Sequence, residues 1–362
     1  MFVSILQTGA KLAFIFYGIY KVLDIITLQI ENCRRKKSEE ETWELTEKNI
    51  YSESKLIEIR NGRCLRTLQL RSSTRGTSKG IVFLVHGSMA RLSQFENQIY
   101  YFQKHGYDIL AYDYYGMGRS PKTSTNPNDY STKEHTKDLI QMYKHFFLNS
   151  TDNITYDLVG KPLHIVGHSF GCSQVLRLIH YILSESEGMQ TNLRSVILLG
   201  SGLPSTTKMT QMRRVFSLPL FVLRLMHPLL SAGFKERALH PLTVKGKETG
   251  NEEHIKLLKF SEATSGANPM HVVKPFYTQM KQIDELTARS VAKMCKESNI
   301  NILMATGEVD QLTTVESCQE LARTWLAQAK PEVTIIPFAS HQCMQEKPEV
   351  VNDLIMEFIE GA

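Results

Sequence analysis

Three side chains at the ends of apolar runs have the types needed for acyl transfer: Ser169 in Gly167-His168-Ser169-Phe170-Gly171, Asp310 in Gly307-Glu308-Val309-Asp310, and His341 after Ser340. A serine hydroxyl attacks a carbonyl only when a base removes its proton, and the base needs a carboxylate to orient it. The run LHIV at 163–166 reads as a buried strand that reverses into a helix at Ser169, a turn that holds the serine strained and outward-facing. Gly167 and Gly171 leave room where neighbouring chain passes close to that turn. Asp310 follows the strand NILMAT and His341 follows TIIPF. Both therefore stand beyond the carboxyl ends of strands, where open α/β sheets carry their functional groups. The chain order serine, acid, histidine fits the same architecture. Glu308 is the second candidate acid, and Asp310 read alone could instead cap the next helix.

Attack on a carbonyl also needs N–H donors for the developing oxyanion. The strand IVFLV ends in His86-Gly87-Ser88-Met89, so the N–H of Ser88, or of Met89, is expected to join that of Phe170 at the start of the helix. His86 reads as a structural hydrogen-bonding residue beneath that loop. The turn DYYGMGRS at 113–120 lacks both the phosphate-loop lysine and the GxGxxG spacing, so it reads as a structural turn without a nucleotide.

The elements that must position these groups follow from periodicity. Lys55–Ile59 and Cys64–Leu70 flank Asn61-Gly62 and predict a hairpin. Strands at 81–85, 108–112, 163–166, 195–199, 300–305 and 334–338 alternate with helices at 92–105, 132–147, 169–183, 314–326 and 349–359. That alternation predicts an α/β fold, a mainly parallel twisted sheet with helices on both faces. Residues 55–202 and 297–362 form its core. Between them, 203–296 shows only helical segments broken by prolines and is expected to be an inserted helical lid.

Residues 1–30 are mostly apolar, with Lys11, Lys21 and Asp24 the only charges, and read as a membrane anchor helix, spanning or interfacial. Arg34, Arg35, Lys36 and Lys37 follow, then Glu39, Glu40 and Glu41. The segment 31–54 reads as a basic, then acidic linker, with a solvated helix equally compatible. If the anchor spans, the basic flank keeps the catalytic domain cytosolic, on the endoplasmic reticulum or another intracellular membrane. The sequons at Asn149 and Asn153 are then expected to stay unglycosylated.

The net charge of +5 is concentrated largely in that basic run, which argues against nucleic acid as a partner. The six cysteines have neither CxxC pairing nor metal spacing and read as reduced and structural; no metal and no cofactor is expected.

Through HGSM at 86–89, DYYGMGRS, GHSFG at 167–171, GEVD at 307–310 and SH at 340–341, the chain resembles the α/β-hydrolase superfamily over about residues 55–361. The resemblance implies the α/β-hydrolase fold, with Ser169 as nucleophile, Asp310 as acid and His341 as base. Epoxide hydrolysis in this fold uses aspartate at the position of Ser169. The HxxxxD pattern of lipid acyltransferases is missing, since Glu346 stands five places after His341, so hydrolysis is favoured over acyl transfer.

The lid segment 215–230 is apolar, and with the anchor it points to an ester or thioester of a fatty acyl chain as substrate. Met89, Phe216, Phe221 and Leu225 are the candidate substrate contacts, although apolar helix faces also serve simply to pack a lid on its core. A membrane-tethered binding or adaptor protein with little turnover is the alternative from another functional class.

Overall fold

The computed structural model describes residues 2–44, 48–74, 76–148, 158, 160–185 and 192–361. Asn149 and Asn153 lie outside these residues. Eight strands form one sheet: β1 (Lys55–Arg60), β2 (Arg63–Leu70), β3 (Gly80–Val85), β4 (Tyr107–Tyr112), β5 (Leu163–His168), β6 (Leu193–Leu199), β7 (Asn301–Gly307) and β8 (Glu332–Ile336), in the order β1-β2-β4-β3-β5-β6-β7-β8. β2 is antiparallel to β1 and β4, and every other pair is parallel. Gly62 takes the positive φ of 69° that the β1–β2 turn requires.

Within β3 the side chains alternate between two cores. Ile81, Phe83 and Val85 join one cluster and Val82 and Leu84 the other. A strand buried on both faces must be apolar throughout, which is why its sequence shows no polar alternation.

The helices of more than five residues among the described residues are α1 (Phe2–Thr42), α2 (Glu96–Lys104), α3 (Thr132–Phe147), α4 (Phe170–Glu185), α5 (Thr206–Phe216), α6 (Leu220–Ala238), α7 (Glu252–Gly266), α8 (Met270–Gln279), α9 (Glu285–Glu297), α10 (Val315–Thr324) and α11 (Pro348–Glu360). Ser131, Ser205, Asn251, Asp284 and Thr314 cap α3, α5, α7, α9 and α10 through their side chains, satisfying N–H groups that a helix start leaves unpaired. The block between β6 and β7 is helical, as its sequence suggests. Its last helix is not part of a lid, however: Ala288, Val291, Ala292 and Cys295 of α9 are buried in the main core, packed against α4. The covering portion, called the cap below, is α5 to α8.

The amino-terminal region departs further from a linker. α1 runs unbroken through both the basic and the acidic residues to Thr42, helped by spaced pairs such as Arg35 with Glu39 and Lys37 with Glu41. Its carboxyl-terminal part docks on the cap. Arg224 of α6 pairs with Asp24 at 2.6 Å and Glu31 at 3.0 Å, and Glu31 also accepts the Met270 N–H at 2.6 Å. Thr42 accepts a bond from Arg91 at 3.1 Å. Sequence pattern alone gives no sign of this docking, because the contacts are polar and local charge runs usually mark solvated faces. No helix among the described residues is long and apolar enough to cross a membrane. Lys21 and Asp24 follow the most apolar part of α1, and Asp24 is engaged by the cap.

Replacing Arg224 by Met leaves the buried Glu31 carboxylate without its cation, a change that typically costs about 3–5 kcal/mol. The expected result is faster amide hydrogen exchange over residues 24–42, largely restored by adding Glu31→Gln. Unchanged exchange in the single variant would contradict a docked α1.

Candidate functional site

β5 ends at His168 and α4 begins at Phe170, so Ser169 alone makes the reversal. Its φ is 52°, a left-handed value that costs a non-glycine residue roughly 1–3 kcal/mol and persists only where surroundings impose it. They do so here through two bonds: the Ser169 N–H to the Leu199 carbonyl and the Cys172 N–H to the Ser169 carbonyl, both 2.9 Å. The close approach read from the glycines is present. A Cβ on Gly171 would lie 2.3 Å from the Val85 carbonyl oxygen, and one on Gly167 would lie 3.0 Å from the Cys172 backbone.

His341 and Asp310 leave the neighbouring strands β8 and β7. His341 Nδ1 donates to Asp310 Oδ2 at 2.8 Å, and both residues are buried. The other Asp310 oxygen accepts the N–H groups of Leu312 and Thr313, each at 2.8 Å. Burial pushes this carboxyl up, but the His341 charge and hydrogen bond and the two N–H groups outweigh it and hold Asp310 below the ordinary carboxylate range. Glu308 is exposed and accepts the Phe338 N–H instead. Ser169 and His341 line the same cavity.

Two positioning residues carry no sequence signal of that role. His168 precedes the serine, and its Nε2 donates to the His341 carbonyl at 2.9 Å while Nδ1 accepts from Gln94 at 3.0 Å. Burial, then the neighbouring His341, pushes His168 down to about 3, so it stays neutral. Glu346 accepts the Ser340 N–H at 2.7 Å with one oxygen, and the His240 N–H and Thr243 hydroxyl with the other. It thereby joins the residue before His341 to the connection between α6 and α7 of the cap.

Beyond β3, His86 has the structural role expected of it. Its Nε2 accepts the Tyr114 N–H at 3.1 Å and its Nδ1 donates to the Gly87 carbonyl at 2.8 Å. Burial holds it down to about 3. Met89 has a φ of 53°, and its carbonyl accepts from Asn268 at 2.6 Å. Among the described residues no acceptor is found for the N–H of Ser88, Met89 or Phe170. Cys172 lies on the first turn of α4, but burial pushes its thiol well up, so it is no competing nucleophile.

The cavity holds about 810 Å³. Met212, Val215, Phe216, Leu230, Phe234 and Phe260 make an apolar flank under the cap, while Ser88, Met89, Ser169 and His341 lie at its base. Of the four candidate substrate contacts, Met89 and Phe216 line the cavity. Phe221 and Leu225 do not. The Phe221 ring meets Tyr20 of α1 edge-on at 5.5 Å, and Leu225 is 58% exposed. α6 is apolar on more than one face, and periodicity cannot say which face meets the cavity and which meets α1.

Residues 76–348 match the family described as serine aminopeptidase, S33. The chain belongs to this hydrolase family. Among curated relatives, this S33-type chain is 25% identical over 302 residues to protein ABHD8 of Bos taurus and 24% identical to that of Homo sapiens. Each match covers 81% of this chain and 60% of the relative, so the chain spans less than two thirds of their length. Two solved structures share the fold: an esterase from Exiguobacterium antarcticum (TM-score 0.61, 15% identity, 84% of this chain and 98% of that one) and a thermophilic esterase from Thermogutta terrifontis (0.61, 16%, 85% and 98%).

Adding a methyl group at Gly171 of this hydrolase must separate α4 from β3. Gly171→Ala is expected to lose about 1–3 kcal/mol of stability, from the overpacking it forces. Gly233→Ala, with nothing within 4 Å of the new Cβ and a helical backbone, is expected to be neutral or slightly stabilising. Paired denaturant titrations distinguish the two.

Proposed function

We propose that the protein is a membrane-associated serine hydrolase that cleaves a fatty acyl ester or thioester through an acyl-enzyme. The observation that carries this reading is the His341–Asp310 pair, at 2.8 Å, beside the same apolar-flanked cavity that Ser169 enters. In this reading His341 Nε2 takes the Ser169 proton as Oγ attacks the acyl carbon. Asp310, already held in its ionised form, stabilises the imidazolium and fixes the tautomer. The N–H groups of Phe170 and Ser88 stabilise the oxyanion; losing one such donor typically costs ~10²–10³ in rate. The imidazolium then protonates the departing alcohol or thiol, and water repeats the sequence on the acyl-enzyme. Neutral His86 and His168 are too far down in pKa to compete as bases.

The family description names aminopeptidase action. A free α-ammonium calls for a carboxylate partner, and no Asp or Glu appears among the described residues lining the cavity. That composition favours an acyl ester over an amino-terminal peptide.

Membrane association is supported by the polarity of α1, which is the reverse of that of an ordinary surface helix. Its inward residues Thr27, Glu31, Ser38 and Thr42 are polar and buried, whereas Phe16, Tyr17, Ile19, Val22, Ile25 and Ile26 are exposed. At 100° per residue those six point around most of the helix, an all-round apolar surface that suits lipid better than water. The proposed location is the cytosolic face of an intracellular membrane, where Arg34–Lys37 meet anionic lipid and six unpaired cysteines stay reduced.

A fluorophosphonate probe is expected to label the wild type and not Ser169→Ala, and Asp310→Asn is expected to lose on the order of 10⁴ in kcat without loss of fold. Unlabelled, folded wild type together with no turnover across an acyl ester and thioester panel would favour the non-catalytic binding-protein alternative. In a flotation assay the full chain is expected to rise with vesicles containing anionic lipid, and the double variant Ile19→Asp, Ile26→Asp to stay at the bottom. Equal flotation of both would remove α1 as the membrane contact.

A further inference from the structure

The cavity lining also includes Lys208, Gln211, Arg237, Gln311, Gln342 and Gln345, with both Lys208 and Arg237 exposed. Among the described lining residues the only formal charges are positive. The chain as a whole holds 37 acids against 42 bases, yet the described cavity lining contains Lys208 and Arg237 and neither Asp nor Glu. Each cation is held by neutral carbonyls that orient it without cancelling its charge. The Lys208 ammonium donates to the carbonyls of Gln311 and Leu312 at 3.1 and 3.2 Å, leaving a third N–H. Arg237 Nε donates to the Gly233 carbonyl at 2.8 Å, which fixes the guanidinium plane, and among the described residues its two terminal nitrogens have no protein acceptor.

Both cations are tied to the reacting centre. Gln311 and Leu312 directly follow Asp310, and Leu312 donates its N–H to that carboxylate. The Arg237 carbonyl accepts the hydroxyl of Ser340, the residue before His341, at 3.4 Å. The Arg237 charge is also felt at the Tyr277 phenol, which bonds Ser88 on the oxyanion side. The Lys208 ammonium is thus held on the loop that carries Asp310, the Arg237 backbone is bonded to the residue before His341, and both cations share the cavity lining with Ser169 and with the apolar residues of the cap. A guanidinium fork and an ammonium are the groups that match the oxygens of a phosphate in geometry and charge.

We infer that the substrates of this site are fatty acyl esters whose alcohol carries a phosphate group, with Arg237 and Lys208 holding the phosphate and the apolar side chains of the cap holding the chain. The inference rests on the ester-hydrolase reading and specifies its substrate. The acyl carbon–oxygen bond breaks, water supplies hydroxide to the acyl carbon and a proton to the alkoxide, and a fatty acid and a phosphorylated alcohol leave without redox change.

The test compares kcat/KM of the full chain for 1-oleoylglycerol 3-phosphate and 1-oleoylglycerol in the same neutral detergent micelles. Wild type is expected to favour the phosphate ester by about 10-fold or more, and Arg237→Gln with Lys208→Gln to reduce that ratio about 10-fold, while Arg237→Lys retains part of it. Because each variant is scored as a ratio of its own two rates, partial misfolding cancels. Turnover of both esters with no phosphate preference, or a double variant that keeps the wild-type ratio, overturns the inference alone. Absence of turnover of either ester, with no fluorophosphonate labelling, overturns the ester-hydrolase reading and this inference with it.

Discussion

The reversal at Ser169 sets the terms for everything around it. A residue at φ 52° between a strand and a helix is stable only if the neighbouring strands hold it, and the Leu199 carbonyl on β6 and the Val85 carbonyl on β3 stand on either side of the turn. Because Gly171 passes so close to β3, the helix start and the loop after β3 are brought together, and the N–H groups of Phe170 and Ser88 come from these two elements. The same packing requires glycine at 87, where a Cβ would lie 2.8 Å from His168 Nδ1. His168 in turn bonds the His341 backbone. A single strained residue is thus linked to the loop after β3 on one side and the histidine loop on the other.

The histidine loop is fixed from several directions, by interactions of different kinds. Asp310 orients the ring, His168 holds the backbone of His341, and Glu346 holds the backbone of Ser340. Gly200, at φ 61°, leaves room for the ring, since a Cβ there would lie 3.1 Å from His341 Cε1. Glu346 also reaches His240 and Thr243 at the end of α6, so the cap and the loop share one carboxylate. Burial of these polar groups is affordable because each acceptor has its donors, and a partly satisfied network at this depth would be worse than an apolar one.

Much of this was legible in the chain because strand ends are local features. Buried parallel strands are apolar throughout, and the polar residue that follows each one stands at the carboxyl edge of the sheet, which made Ser169, Asp310 and His341 visible without any tertiary information. Between Asp310 and Glu308 the sequence left a second candidate open, and it is long-range contacts that separate them: Asp310 bonds His341, whereas Glu308 accepts the Phe338 N–H. What was not legible depends on which surfaces meet at long range. α9 looked like its cap neighbours in periodicity, and only its packing on α4 assigns it to the core. Phe221 and Leu225 belong to an apolar stripe indistinguishable in sequence from the one that lines the cavity. The continuous α1 was hidden for another reason: its docking is polar, and hydrophobic pattern does not report ion pairs between residues some 200 positions apart.

α6 joins the two halves of the molecule's surface chemistry. His227, Leu230 and Phe234 on one side line the cavity, Arg224 on another pairs with Asp24 and Glu31, and Leu225 and Leu229 remain exposed. The Arg224 pair is buried, so its strength depends on geometry and it resists separation more than a surface pair would. A force applied to α1 is therefore delivered to the helix that forms the cavity wall, beside Leu223 and about one turn from His227. The exposed apolar residues of α1 and the exposed Leu225 and Leu229 thus belong to elements held together by charge. Lys208 on α5 and Arg237 on α6 belong to the same cap as the apolar residues Phe216 and Leu230, so one covering unit presents both cationic and apolar side chains to the cavity.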